Sequence, residues 1–243
     1  MPKSIRGRIR LKQKNLIVRQ LFEKESSTYT YLLADKESKE ALIIDPVAEC
    51  IERDLLLIKE LSLNLKYILD THVHADHVTS SWDLKEKTGA SIALGERSGV
   101  SHADLLLKDS QELSFGSFSI KAILTPGHTN GCTTYSVENM LFTGDTLLIR
   151  GNGRTDFQQG SAKELYHSIT EKLFSFPDET IIYPAHDYKG LTTSTIEEEK
   201  RHNPRIGGGK SLEQFSQIMS ELNLPNPKKI DVAVPMNLKC GRT

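Results

Sequence analysis

Cysteine is scarce in this sequence, and the few that occur form no metal-binding pattern. Cys50, Cys132 and Cys240 are an odd count of 3 among 243 residues, and no pair has a CxxC spacing. A disulfide framework and a thiolate zinc site are therefore not indicated. Reduced thiols fit a cytoplasmic protein best, with the mitochondrial matrix as the alternative compartment.

Long apolar runs and an excess of one charge are also missing. No stretch approaches the roughly 18 apolar residues of a membrane span, and no apolar signal segment follows the first residue. The net charge of -1, from 31 basic and 32 acidic residues, gives no field that would attract nucleic acid or an anionic membrane. We expect a soluble protein without a nucleic-acid or membrane partner.

The composition is otherwise that of an ordinary folded domain, with 37% hydrophobic and 26% charged residues. Residues 1–15 carry only basic charges and predict a solvated tail, although the remnant of a transit peptide would have the same composition. No linker or repeat interrupts the rest. We therefore expect residues 16–243 to form a single domain.

The first part of this domain predicts strands followed by a helix. Thr28 to Ala34 and Ala41 to Asp45 are rich in β-branched and aromatic residues around a polar turn, which is typical of a hairpin. Apolar residues recur at helical spacing from Ile51 to Leu61 and lead into the apolar run 67–69, a predicted buried strand.

The second part of the domain repeats strands and then ends in helices. Residues 117–124, 132–142 and 181–183 are predicted strands, each bordered by turn-forming residues. Capping-box spacings at Ser194 and Ser211 predict two later helices. This order favours two sheets enclosed by helices.

The strongest chemical signal is the segment Thr71-His72-Val73-His74-Ala75-Asp76-His77, which follows a predicted strand. A single histidine is more often a surface or hydrogen-bonded core residue. Three imidazoles and a carboxylate packed together are costly to bury without a cation, so this cluster predicts a metal site. Imidazole with carboxylate favours a transition metal over calcium.

Three further candidates stand at predicted strand ends, namely Gly127-His128, Gly144-Asp145 and Ala185-His186. Each alone would be an ordinary turn. Open metal sites keep about three protein ligands, so this surplus indicates either two metals or residues that support the ligands of one.

The series HxHxDH, His128, Asp145 and His186 resembles the metallo-β-lactamase superfamily. Within that superfamily, residues 149–160 and 183–188 resemble the persulfide dioxygenases, also called sulfur dioxygenases. The resemblance implies an α/β fold, the αββα sandwich of two mixed sheets flanked by helices.

The resemblance also implies one non-haem Fe(II) per subunit, with His72, His128 and Asp145 as metal ligands and catalytic residues. Two histidines and one carboxylate are the facial triad of non-haem iron oxygenases, which leaves coordination positions open. By the same resemblance, His74, Asp76, His77 and His186 would orient the ligands and the metal-bound waters.

The reaction implied by the resemblance is the oxidation of glutathione persulfide by O2 and water to sulfite and glutathione. Arg154 and Tyr188 are candidate substrate contacts, since a guanidinium binds a carboxylate in a bidentate manner. The alternative for both is a structural salt bridge or hydrogen bond. The resemblance further suggests a homodimer or a higher homo-oligomer.

Two other functions remain open from the sequence. A glyoxalase-II-like hydroxyacylglutathione hydrolase would use the same ligand series for two metals. It is disfavoured by the absence of an extended C-terminal helical domain and by the match at residues 149–160. The second is a non-catalytic metal-binding or redox-sensing module, which a complete ligand set does not exclude.

Overall fold

The computed structural model describes residues 15–243, so the predicted basic tail at residues 1–15 lies outside the described range except for Asn15. The remaining residues form two sheets that pack face to face, with helices on the outer face of each. The division into a tail and one domain stays a prediction.

The first sheet has the strand order of the chain itself. Its first two strand pairs are antiparallel and its last three are parallel, so the sheet is mixed. The predicted hairpin is confirmed as the second and third strands. The strands are β1 Leu16–Glu23, β2 Thr28–Asp35, β3 Glu40–Ile44, β4 Asn64–Leu69, β5 Ser91–Gly95 and β6 Leu105–Leu107.

The second sheet contains the later strands in the order β12-β11-β10-β9-β8-β7. Only the β10/β11 pair is parallel, so this sheet is also mixed. The strands are β7 Glu112–Phe115, β8 Phe118–Leu124, β9 Thr133–Val137, β10 Met140–Gly144, β11 Ile181–Pro184 and β12 Ser194–Thr195.

Six α-helices lie in the described range, and short 3-10 or π turns adjoin two of them. The predicted helix after the hairpin is confirmed as α1. The helices are α1 Ile51–Glu60, α2 Ser81–Thr88, α3 Ala162–His167, α4 Ile196–His202, α5 Leu212–Ser220 and α6 Ile230–Asn237.

Strand β2 shows how the sequence builds the layers, because its side chains alternate between two buried faces. Tyr29, Tyr31 and Leu33 point into the core between the sheets, whereas Leu32 and Ala34 point into the core under the helices. A third core lies between the second sheet and its helices. The αββα sandwich expected from the resemblance is therefore confirmed.

Two local predictions differ from the structure. Residues 132–142 are not one strand, because the chain turns at Glu138 with a φ of 53° and pairs β9 with β10 as a hairpin. The helix predicted from Ser194 is capped instead by Thr195, whose hydroxyl accepts from the Glu198 amide. The capping box at Ser211 is confirmed.

The two sheets are joined where the histidine-rich loop leaves β4. The Thr133 amide at the start of β9 donates to the Thr71 carbonyl over 2.8 Å. Gly144, with a φ of 55°, ends β10 so close to Thr71 that an added Cβ would lie 2.6 Å from its hydroxyl oxygen. Only glycine allows this approach, which brings the end of β10 against the loop after β4.

Candidate metal centre

Three loops from the two sheets bring His72, His128 and Asp145 together. His72 follows β4 in the first sheet, whereas His128 and Asp145 follow β8 and β10 in the second. One potential ligand atom from each of the three lies within 4.8 Å of the others. His128 Nε2 is 3.6 Å from Asp145 Oδ2. The spacing is that of side chains arranged around one ion.

A hydrogen-bond chain fixes the His72 imidazole. The Thr71 hydroxyl donates its proton to Asp45 Oδ2 over 2.9 Å, so it must accept from His72 Nδ1 at 3.0 Å. His72 Nε2 is then unprotonated. Burial lowers the pKa of His72 well below its usual value, and the neighbouring imidazoles of His74 and His128 lower it further. The ring is neutral, as a metal ligand must be.

The His128 imidazole is fixed in the same sense by the main chain. Its Nδ1 lies 2.7 Å from the Arg154 carbonyl oxygen, which can only accept, so Nδ1 carries the proton. Gly153 makes this approach possible, because a Cβ there would lie 2.7 Å from His128 Cγ and 2.6 Å from the Asp145 carbonyl. His128 Nε2 therefore presents its lone pair on the side of Asp145.

These residues fit a metal ion. Oδ1 of Asp145 is buried and has no hydrogen-bond partner among residues 15–243, although an unpaired buried carboxylate oxygen is costly. Both histidines of the group are held in the tautomer that leaves Nε2 free. Two imidazoles with one carboxylate are a donor set for a transition metal.

The other residues of the motif form a second cluster beside the first, in which ligand atoms of His74, Asp76 and His186 also lie within 4.8 Å of one another. His74 Nε2 lies 3.1 Å from Asp45 Oδ1. Burial lowers the pKa of His74, but the Asp45 carboxylate outweighs burial and raises it to about 9. This histidine is thus held by a protein carboxylate.

His77 and His186 complete the second cluster. His77 Nδ1 is 3.0 Å from Asp76 Oδ2, and the buried His77 Nε2 has no partner among the described residues. His186 Nδ1 donates to the Ser27 carbonyl over 3.3 Å, while its Nε2 is 3.6 Å from Asp145 Oδ1. Burial raises the pKa of Asp76, but His186 and His77 hold it well below its usual value.

A small cavity of about 80 Å³ lies beside the two histidine loops. Its walls include Val73 and Thr129, which directly follow His72 and His128. Nε2 of the Gln158 side chain donates to the Val73 carbonyl over 2.8 Å and closes one side of the cavity. The cavity thus adjoins residues that are next to His72 and His128 in the chain.

Comparisons with known proteins agree with this geometry. A model of the metallo-beta-lactamase superfamily matches residues 24–186. The mitochondrial persulfide dioxygenase ETHE1 of Mus musculus is 51% identical over 93% of this chain and 89% of its own length, and that of Homo sapiens is equally similar. The crystal structure of ETHE1 from Myxococcus xanthus has a TM-score of 0.91 at 52% identity, covering 93% of this chain and all of that one.

The chain belongs to the persulfide dioxygenase family of the metallo-β-lactamase superfamily. It is accordingly an enzyme with a metal cofactor. Neither the glyoxalase-II-like hydrolase nor the non-catalytic module is favoured by these comparisons. Within residues 15–243 no helix is long and apolar enough to cross a membrane.

Two candidate substrate contacts of this persulfide dioxygenase homologue lie at the rim of the centre. The Arg154 guanidinium makes two hydrogen bonds to Asp156, of 2.6 and 2.7 Å, and donates to the Pro225 carbonyl. The Tyr188 side chain is exposed, and its ring stacks parallel to that of His186 at 6.2 Å. Their role toward substrate stays a prediction.

The sequence analysis missed two carboxylates that shape the site, Asp45 and Asp70. Both are buried, and both lie with His74 in a third group of potential ligand atoms. A signal was available for Asp45, since it ends a predicted strand before a proline, as the other site residues end theirs. Asp70 also follows a predicted strand, at residues 67–69, but its partners Thr79 and Ser81 become visible only in the structure.

Proposed function

We propose that this chain is an iron-dependent persulfide dioxygenase that oxidises glutathione persulfide to sulfite and glutathione. Two oxygen atoms of sulfite come from O2 and one from water, the sulfur–sulfur bond breaks, and glutathione leaves as the thiol. The observation that carries the proposal is the group of His72, His128 and Asp145, two imidazoles and one carboxylate, in a chain 51% identical to persulfide dioxygenases.

We propose one Fe(II) per chain, held by His72, His128 and Asp145. When bound, iron would supply a redox-active centre with open coordination positions. Zinc can also keep a position open, but it has no redox chemistry. The pairing of His74 with Asp45 supports a single ion, because the Asp45 carboxylate outweighs burial, raises the pKa of His74 to about 9 and so favours a proton over a metal on this ring. The protein TTHA1623, which is 26% identical to this chain with a TM-score of 0.65, was solved in a di-iron-bound form. Iron is therefore compatible with this fold.

The protein's own part in the reaction is to hold the ligands and to orient substrate. The Asp45–Thr71 pair and the Arg154 carbonyl fix Nδ1 of His72 and of His128 as hydrogen-bond donors and thereby orient the two rings. Prior fixation of these rings lowers the reorganisation needed when sulfur and oxygen meet, which is a proximity contribution. His74, Asp76, His77 and His186 are proposed to support this arrangement through the contacts described above.

For the glutathione part of the substrate we propose contacts with Tyr188 and Arg154. The exposed Tyr188 ring stands next to His186 and offers a hydroxyl at the rim. Arg154 would share its guanidinium between a substrate carboxylate and Asp156, whose side chain is 57% exposed. The alternative structural role of each residue predicts an unchanged KM on substitution.

The assembly state and the cellular compartment are also part of the proposal. We propose a homodimer or higher homo-oligomer, which sedimentation of the full chain would test. The mouse and human relatives are named mitochondrial, which supports the matrix, whereas the cytoplasm was proposed from the three free cysteines. Fractionation of the native cells decides between the two compartments.

The decisive experiment combines metal analysis with oxygen uptake. Protein loaded with Fe(II) under anaerobic conditions should contain one iron per chain and consume one O2 per glutathione persulfide, with sulfite as product. The same chain loaded with Zn(II) is the control and should consume none. Two metals per chain with anaerobic cleavage of a glutathione thioester, and no oxygen uptake in the iron form, would overturn the proposal.

A further inference from the structure

The C-terminal helix contacts the metal-binding loop through one side chain that no part of the motif includes. Asn237 is the last residue of α6 and is only 3% exposed. Its Nδ2 donates to the carbonyls of His74 and His77, over 2.9 and 2.8 Å, and its Oδ1 accepts from the Thr79 amide over 2.9 Å. The amide group thus makes three hydrogen bonds to one loop.

These three bonds supply partners that the loop does not provide for itself. Residues 70–80 between β4 and α2 contain no helix and only an isolated bridge at Thr79, so their carbonyls lack a regular ladder. Buried main-chain groups without partners cost free energy. The two accepting carbonyls belong to His74 and His77, so Asn237 bridges the two ends of the turn that contains Asp76. This turn comes directly after His72 and Val73 in the chain.

The position of Asn237 is set by contacts on its C-terminal side that do not involve the metal ligands. The Leu238 carbonyl accepts from the Ser101 amide over 2.8 Å, and the Cys240 carbonyl accepts from the Trp82 amide over 3.0 Å. Gly241 then packs against the Thr79 carbonyl so closely that any Cβ would collide with it. The helix end is therefore anchored to the first-sheet side of the molecule.

We propose that Asn237 is a positioning residue for the metal centre. It holds the His74–Thr79 turn in place before metal binds, so that the HxHxDH side chains stand in register with His128 and Asp145. The C-terminal helix is then a part of the metal site, although it supplies no ligand. This role concerns metal binding and does not depend on which reaction the bound metal supports.

Two variants separate positioning from simple loss of packing. Asn237→Asp keeps the shape of the side chain and its acceptor, but places an oxygen against the two loop carbonyls. Asn237→Ala removes all three bonds. The matched control is Ala233→Gly. Ala233 is a buried residue of the same helix whose amide donates to the Lys229 carbonyl, and glycine in its place weakens the helix.

The first measurement is amide hydrogen exchange of the full metal-free chain. In both Asn237 variants, amides of residues 74–79 should exchange at least roughly tenfold faster while the β-strands keep their protection, because the loop opens locally. Ala233→Gly should leave this segment unchanged relative to the strands. Equal exchange of residues 74–79 in wild type and both variants would overturn the proposal.

The second measurement is the binding of Co(II), whose d–d absorption reports the ligand geometry. We expect both variants to bind Co(II) roughly 10- to 100-fold more weakly than wild type and with an altered spectrum, as for other residues that orient ligands. Wild-type Co(II) affinity and spectrum in variants whose Tm falls no more than that of Ala233→Gly would show a purely structural role. Neither readout needs persulfide oxidation, so a failure of the proposed function leaves this test intact.

Discussion

The two histidine clusters of the site contain similar residues but balance their charges differently. In the first, Nδ1 of His72 and Nδ1 of His128 donate hydrogen bonds to uncharged oxygen atoms, and Asp145 Oδ1 has no hydrogen-bond partner among the described residues. In the second, His74 and His77 lie against the carboxylates of Asp45 and Asp76. In the first cluster neither histidine donates to a carboxylate through Nδ1. In the second cluster, protein carboxylates lie against the histidines.

This difference shows how one motif can serve one metal or two. A cation entering the first cluster would neutralise the Asp145 carboxylate, whose present contacts with His128 and His186 are both 3.6 Å long. A cation entering the second cluster must compete with a proton on His74, whose pKa is raised to about 9. This difference in charge balance is the reason for proposing a single ion between His72, His128 and Asp145.

Removal of a ligand from the first cluster should have the largest effect. We expect Asp145→Ala to lose its metal and to reduce oxygen uptake with glutathione persulfide roughly a thousandfold or more, because the only carboxylate of the group is gone. Metal analysis and circular dichroism together check that the fold remains. Retained iron and turnover in this variant would refute the ligand assignment.

The same kind of change in the second cluster should leave the metal in place. Asp76→Asn removes the charge that faces His77 and His186, and we expect near-stoichiometric iron with kcat lowered roughly 10- to 100-fold. Iron content and oxygen uptake are measured in parallel with Asp145→Ala. If Asp76→Asn also loses its iron, the two clusters do not differ in the way described here.

A smaller effect is expected where the clusters meet at Thr71. Thr71→Val keeps the shape but removes the hydroxyl between Asp45 and His72 Nδ1, so the imidazole loses its orientation and its tautomer. We expect Co(II) affinity to fall about tenfold. Thr71→Ser retains the hydroxyl and is the matched control. Equal affinities for the valine and serine variants would argue against the hydrogen-bond chain.

The smallest effect concerns the cost of buried charge near His74. Burial raises the pKa of Asp70 from 3.8 to about 6, opposed by His74. The native state thus keeps a proton that the unfolded state releases, and this contribution to stability is present at low pH and is lost as pH rises through about 6. This Asp70 contribution makes the free energy of unfolding of the metal-free wild type fall as the pH rises. Between about pH 4 and pH 7, the fall should be about 2 kcal/mol smaller in metal-free Asp70→Asn than in wild type.

Urea unfolding of wild-type and variant protein at several pH values measures this difference. Ser81→Ala, which removes one hydrogen bond to Asp70 without removing the carboxyl, serves as the control for lost polar contacts. Parallel pH profiles for wild type and Asp70→Asn would mean that the Asp70 carboxyl does not titrate in this range.

The parts of the fold that were predictable from the sequence rest on local patterns. The β-branched and aromatic composition of β2, the helical spacing in α1 and the capping box at Ser211 each involve residues within one element, and all three elements were predicted. The hairpin at Glu138 was missed because it contains neither glycine nor proline. Strand order follows from pairing between distant segments, which no local pattern encodes.

The residues of the candidate site also fall into those marked by a local sequence pattern and those that depend on tertiary contacts. The imidazoles and Asp145 were found because a dense motif and turn-forming strand ends mark them in the sequence. Asp45, Asp70 and Asn237 act through hydrogen bonds to residues 9 to 163 positions away, so their partners depend on tertiary packing. The roles of Arg154 and Tyr188 depend on a substrate, and their protein contacts do not decide them.

The origin of the three ligands in different sheets has a consequence for assembly. His72 follows a strand of the first sheet, and His128 and Asp145 follow strands of the second. An ion held by all three would cross-link the two halves of the sandwich, so it can be captured only after the halves have docked. We therefore expect metal to enter last during refolding and its release to precede separation of the sheets, which makes a chelator a selective accelerator of unfolding.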